Sequence, residues 1–180
     1  EVKLPEDFDF EKVSFDQYYP LSYFQQLGVT KTNNQALSSY DIQAELYLPS
    51  GHQGPAFLLY PNFNVIMTWN LSKSYALSVG LLANKLIGVD GLKFLQSQQA
   101  LDNRYSFEEM KTLQSQLNIL GFEPGKPDGI WGPKSRDAIR SFQLTHQLIA
   151  DGYPNKALFS KIKLVMSENE EEKTDINSQS

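Results

Sequence analysis

A chain of 180 residues, 41% hydrophobic and 21% charged, has room for one domain or two small ones with buried cores. Its net charge of -5 leaves Lys and Arg too sparse for a nucleic-acid face, and the absence of cysteine removes disulfides and thiolate chemistry. Two histidines, His52 and His146, lie far apart in unlike contexts and read as surface or loop residues, so neither a metal nor a cofactor is expected. No apolar run approaches the length of a membrane span. The opening, EVKLPEDFD, lacks signal-peptide character and reads as the interior of a longer protein or as a processed form.

Residues 1–13 scatter Val2, Leu4, Phe8, Phe10 and Val13 among acids and Pro5, the pattern of an irregular or short-strand connection. Pro20 starts a short helix that carries Leu21, Phe24 and Leu27 on one side, and Gly28 closes it. After the polar loop 30–39, Ile42, Ala44, Leu46 and Leu48 alternate with Gln43, Glu45 and Tyr47, which predicts a half-buried strand with Glu45 facing solvent. Turn formers at 49–51 and 54–55 and the apolar run 56–60 make a hairpin with it. Phe63, Ile66, Met67 and Asn70 favour a short helix. Ser72 is placed to cap the next one, whose face of Ala76, Val79, Gly80, Ala83, Leu86 and Ile87 is expected to pack closely on another element.

Residues 89–105 are poor in apolar side chains and read as a linker. Ser106 with Glu109 forms a capping box, and Met110, Leu113, Leu117 and Leu120 keep helical spacing as far as Gly121. Turn formers crowd 124–129, Pro133 suits a first helical turn, and Ala138, Ile139 and Phe142 form the buried stripe. A second Asp-Gly pair, Asp151-Gly152, leads to a third helix with Leu158, Ile162 and Val165 on one side. Each Asp-Gly turn thus delivers the chain to a helix N-terminus, where backbone N–H groups lack helical partners. Residues 167–180 are acidic and polar and are expected to be disordered.

The run LQSQLNILGFEPGKPDGIWGPKSRDAIRSFQ resembles the peptidoglycan-binding domain of type 1, a three-helix module of bacterial wall enzymes. The run GPAFLLYPNFNVIMTWNLSKSYALSVGLLANKLIG, with the LGV and ELYLP stretches before it, resembles the C-terminal part of the catalytic domain of B-type lytic murein transglycosylases. Together the resemblances imply an α+β chain: the C-terminal portion of a lysozyme-like catalytic domain with a β-hairpin at 1–88, and a small three-helix peptidoglycan-binding domain at 106–166. They imply cleavage of the MurNAc-GlcNAc β-1,4 bond to 1,6-anhydromuramoyl products, with one Glu serving as acid and then base. In that family the Glu precedes Ser or Thr. No Glu does so here, which places the catalytic segment upstream and leaves no catalytic residue in this chain, inactive by itself.

Within the WN-x-S-x-x-YA motif, the resemblance assigns Trp69, Asn70, Ser72 and Tyr75, with Tyr60 upstream, to the wall of a glycan cleft. An amide can pair with an N-acetyl group and aromatic faces stack on sugars, whereas from the residues alone Asn70 and Ser72 cap a helix while Trp69 and Tyr75 fill core. In the second module Trp131 either stacks on a sugar or stem peptide or covers the small core. Asp128 either contacts murein or braces its turn, and Arg136 and Arg140 either meet a stem-peptide carboxylate or form a solvated helix face. The implied partners are glycan strands and stem peptides of peptidoglycan and the N-terminal half of the same protein. The implied location is the periplasm or bacterial envelope, an upstream lipidated outer-membrane anchor being one form of it. The rival reading is a non-enzymatic peptidoglycan-binding envelope protein whose first domain is degenerate.

Overall fold

A computed structural model of the chain describes residues 1–89 and 105–178. The chain divides into two compact units, residues 1–98 and 99–180. In the first, β1 (Val2–Lys3) pairs antiparallel with β3 (Thr30–Lys31). A second sheet joins β2 (Tyr18–Pro20), β4 (Gln43–Tyr47) and β5 (Phe57–Leu59) in the order β2-β4-β5, all antiparallel. The hairpin register sets Glu45 opposite Leu59 and Tyr47 opposite Phe57. Helix α1 (Leu21–Gln26) follows Pro20, turns Leu21 and Phe24 into a core with Val13, Val29, Ala44 and Leu46, and stops before Gly28, whose φ of 81° lies in the left-handed region.

β4 departs from the half-exposed strand that its alternation predicts. Glu45 and Tyr47 are both only 4% exposed. The cause is tertiary: β4 is the middle strand, and its second face is covered where Tyr47, Phe57 and Leu59 pack on Phe63 of α2 (Phe63–Met67) and on Leu77 and Leu81 of α3 (Lys73–Leu86). For the same reason α3 does not bury the face expected of it. Ala76 is fully buried, but Val79, Leu86 and Ile87 are exposed, Leu86 at 79%, and Gly80 has no neighbour where a side chain would stand. The helix turns Leu77 and Leu81 to the sheet instead, which leaves the Val79–Ile87 side without a covering element among the described residues.

The second unit is three helices: α4 (Phe107–Ile119), α5 (Pro133–Thr145) and α6 (Lys156–Ser178). Ser106 and Glu109 close the capping box, and Leu113, Leu117, Ile139, Phe142, Leu158 and Ile162 form a core with no exposure. α6 continues through 167–178, where a disordered tail is expected. No Pro or Gly follows Pro154 to stop it, and the Glu and Lys of that stretch are good helix formers.

Candidate functional site

Tyr60 leaves β5 half-exposed, and α2 carries the chain to Trp69, which is 87% exposed. The Asn70 Oδ1 accepts from the Ser72 backbone N–H at 3.0 Å, and the Ser72 Oγ accepts from the Tyr75 N–H at 3.2 Å, so two side chains build the start of α3 between them. The capping half of the residue-level reading is therefore present. Its packing half is not, because Trp69 and Tyr75, the latter 49% exposed, leave the core to Phe63, Leu77 and Leu81. Among the described residues the Asn70 Nδ2 and the Tyr75 hydroxyl meet no partner. The loop thus shows an open indole, a phenol and an amide edge to solvent, a set suited to a polar ligand with apolar ring faces.

What holds this loop was not visible in the residue pattern. The Lys73 ammonium pairs with Asp16 and with the buried carboxylate of Glu45, and lies 5.8 Å from the centroid of the Tyr47 ring. The hydroxyls of Ser74 and Tyr47 meet at 3.1 Å, and the Asn64 amide donates to the Tyr18 hydroxyl at 3.0 Å. The first turn of α3 is therefore clamped to the middle strand of the sheet by charge and by hydroxyl contact, and α2 is tied to the edge strand at Tyr18. The one signal available was topological: a Glu on the middle strand of a covered sheet needs a cationic partner.

In the second unit the sequence-marked residues are engaged in building two equivalent turns. Gln114, 1% exposed, donates to the Asp128 Oδ1 at 3.0 Å and accepts from the Gly129 N–H at 2.8 Å. Gln143, also 1% exposed, repeats both bonds with Asp151 at 2.9 Å and Gly152 at 2.8 Å. Each Asp in turn accepts from the backbone N–H two residues on, that of Ile130 or of Tyr153. Hydrogen bonds from the Ile130 N–H and then from the Gln114 amide hold the Asp128 carboxyl below its ordinary value. Both turns need glycine: a side chain at 129 would strike Phe107, and one at 152 would strike Arg136.

Trp131 leans on this frame, donating from Nε1 to the Gly152 carbonyl at 3.3 Å, with the Arg136 guanidinium 4.8 Å from its ring. Tyr153 meets the indole edge-on at 5.1 Å. Arg136 is 9% exposed, so the solvated helix face expected of Arg136 and Arg140 is corrected: Arg136 is packed beneath Trp131, and Arg140 is half-buried. The two helix starts also differ from the paired open N-termini that the sequence suggests, since Asn155 Oδ1 accepts from the Leu158 N–H and caps α6, whereas α5 begins at Gly132 and Pro133 with no side-chain cap. His146, against Phe122 and Phe142, is pushed below its ordinary value by burial and then by Lys161. No cluster of His, Cys, Asp and Glu among the described residues is fit to hold a metal ion.

Two protein families match this chain: one described as Transglycosylase SLT domain over residues 1–84, and one described as Putative peptidoglycan binding domain over residues 107–162. Two solved structures of SltB3 from Pseudomonas aeruginosa are similar to it, one in complex with NAG-anhNAM-pentapeptide and one with NAG-NAM-pentapeptide. Each is 40% identical with a TM-score of 0.79, and the matches cover 90% and 89% of this chain. The chain spans 43% of the length of those relatives. The lysozyme-like fold expected for the first unit and the resemblance to both families are borne out.

Proposed function

We propose, for a chain that carries a Transglycosylase SLT domain segment in residues 1–84 and a Putative peptidoglycan binding domain in residues 107–162, that it is the C-terminal portion of a lytic murein transglycosylase. Peptidoglycan binding of this kind also sets the chain at the periplasm or envelope. The finer reading is cleavage of the MurNAc-GlcNAc β-1,4 bond to a 1,6-anhydromuramoyl product. Residues 1–88 supply one wall of the glycan cleft, and residues 106–166 hold murein.

The observation that carries the reading is the open loop of Trp69, Asn70 and Tyr75, held rigid by Lys73 while its aromatic faces and amide edge remain toward solvent. In this reading a sugar ring stacks on Trp69, its acetamido group pairs with the Asn70 amide, and the hydroxyl of Tyr75, in the first turn of α3, offers a further contact. Tyr60 extends the same surface. A cleft wall of this kind positions a glycan without itself moving the proton. The acid and base role belongs to one carboxyl group, protonating the leaving oxygen and then withdrawing the proton of the hydroxyl that closes the anhydro ring. Glu45 is ion-paired to Lys73, and Glu109 is fixed in the capping box, so neither fills it. The reading therefore sets that carboxyl in the N-terminal half of the same protein. The exposed Val79, Leu82 and Leu86 of α3, with Ile87 at its C-cap, supply an apolar face for that half to cover. The complex of SltB3 with NAG-anhNAM-pentapeptide supports the same chemistry here.

The test pairs a sacculus pelleting assay with analysis of released muropeptides. The 180-residue chain is expected to pellet with sacculi and release nothing, and the same chain joined to its N-terminal half to release 1,6-anhydro products. Asn70→Ala and Tyr75→Phe in the joined protein should lower release while pelleting persists through the second unit. Failure of the chain to pellet removes the murein reading. A joined protein that pellets and releases nothing establishes the rival, a non-enzymatic wall-binding protein.

A further inference from the structure

We propose a second carbohydrate contact, separate from the Trp69–Tyr75 loop: an open groove between α1 and residues 36–41 that takes a short run of N-acetylated sugar rings. The proposal rests on the murein reading above and adds a site to it. The groove has a volume of about 720 Å³ and is walled by Ser22, Gln25 and Gln26 of α1 on one side and by Ser39, Tyr40 and Asp41 on the other. That volume falls within the usual range of ligand sites, roughly 300–1,000 Å³.

Its shape is preformed. Leu21 and Leu37 are buried beneath it, the Leu21 N–H donates to the Ile42 carbonyl at 2.9 Å, and the Ile42 N–H donates to the Tyr40 carbonyl at 2.9 Å. The Ser38 Oγ accepts from the Tyr40 N–H at 3.3 Å, and the Tyr40 ring is 74% exposed. Backbone bonds and buried leucines thus fix the walls. Among the described residues the side chains of Ser22, Gln25, Gln26, Ser39 and Asp41 take no part in hydrogen bonds, so their polar groups remain available to a ligand.

The chemistry of the walls selects the class. Two amides and two hydroxyls both donate and accept, as acetamido and hydroxyl groups require, and one open phenol ring offers a stacking face. The lining holds no Lys or Arg, and Asp41 repels anions, which disfavours phosphates and carboxylates. Asp41 is also four residues before Glu45, which anchors Lys73 at the start of α3. Along the chain that is at most about 13 Å, and the lining includes none of residues 60–75, so the groove is close to the first loop yet distinct from it.

Chemical-shift mapping of the full 180-residue chain with tri-N-acetylchitotriose tests the proposal. The amides of Ser22, Gln25, Ser39 and Tyr40 are expected to shift along their own saturation curve. Tyr40→Ala and Gln25→Ala should each weaken that curve about tenfold, the effect of losing one stacking or amide contact, while shifts at Asn70 and Tyr75 persist. Shifts confined to residues 69–75, or groove shifts that appear only with the free stem pentapeptide, overturn it. A silent groove in a protein that still pellets with sacculi overturns the groove alone. A wild-type chain that does not pellet overturns the murein reading instead.

Discussion

Trp69 and Tyr75 in the first unit stand clear of the protein, whereas Trp131 and Arg136 in the second are stacked on each other and joined to a turn. The difference follows from how each unit closes its core. The first has a sheet covered on both faces, so aromatic rings beyond its edge are not needed for packing. The second has one small apolar core between three helices and must fix two long turns. It does so with two buried glutamines, each bracketing an Asp-Gly pair, and with an indole and a guanidinium laid over the second pair. A conspicuous residue in a small module is accordingly more often part of its frame than one on a well-covered sheet.

Substitutions at four positions break or sharpen this contrast, in descending order of effect. Phe142→Ala removes a fully buried ring from the three-helix core and should cost about 3–5 kcal/mol in urea unfolding, a large share of the stability of a module of this size. Lys73→Met leaves Glu45 charged without its ammonium inside the first unit. Because Lys73 retains some exposure, the loss should lie near the lower end for a broken buried pair, about 3 kcal/mol, and Lys73→Arg should recover part of it. Gln143→Ala leaves the Gly152 N–H without its acceptor and removes one amide donor from the buried Asp151, which keeps the Tyr153 N–H, at a cost of about 2 kcal/mol. Gln114→Ala should cost less, because Asp128 is exposed and water can replace the lost amide. Equal costs would mean that burial does not distinguish the two brackets.

The smallest effect is a pH dependence. Asp128 is held below 3.8 and Glu109 below 4.5 by hydrogen bonds to the native backbone and neighbouring side chains, so the unfolded chain binds protons first as pH falls. Their contribution is fully present above those values and is lost as pH drops through the lower native ones. His146 has the same sign in a higher window: its native value lies below 6.5, so stability from its burial is present above 6.5 and declines as pH falls past it. Thermal unfolding between pH 3 and 7 should therefore show two descending steps, the acid one shallower in Asp128→Asn and the higher one absent in His146→Phe.

Much of the fold was legible from local signals. Pro20 and Gly28 bound α1, the turn formers at 49–55 make the hairpin, and the Ser106–Glu109 box and Pro133 start two helices where their chemistry requires. These features depend on neighbours within a few residues, so the chain states them directly. The capping roles of Asn70 and Ser72 were legible for the same reason.

The misreadings concern partners distant in sequence. Alternation along residues 42–48 is the same for an edge strand and a middle strand, and only the order β2-β4-β5 decides that Glu45 is buried and must meet Lys73, 28 residues away. Helix α3 offers two apolar sides, and only the position of Tyr47, Phe57 and Leu59 selects Leu77 and Leu81 over Val79 and Leu86. The sequence by itself determined where helices begin, where the hairpin turns and which modules the chain resembles, because caps, turns and periodicity are short-range physics. Tertiary structure alone decided which charge is buried, which helix face is left open and which aromatic rings reach solvent. Burial is a property of what lies across the core, and no local pattern contains it.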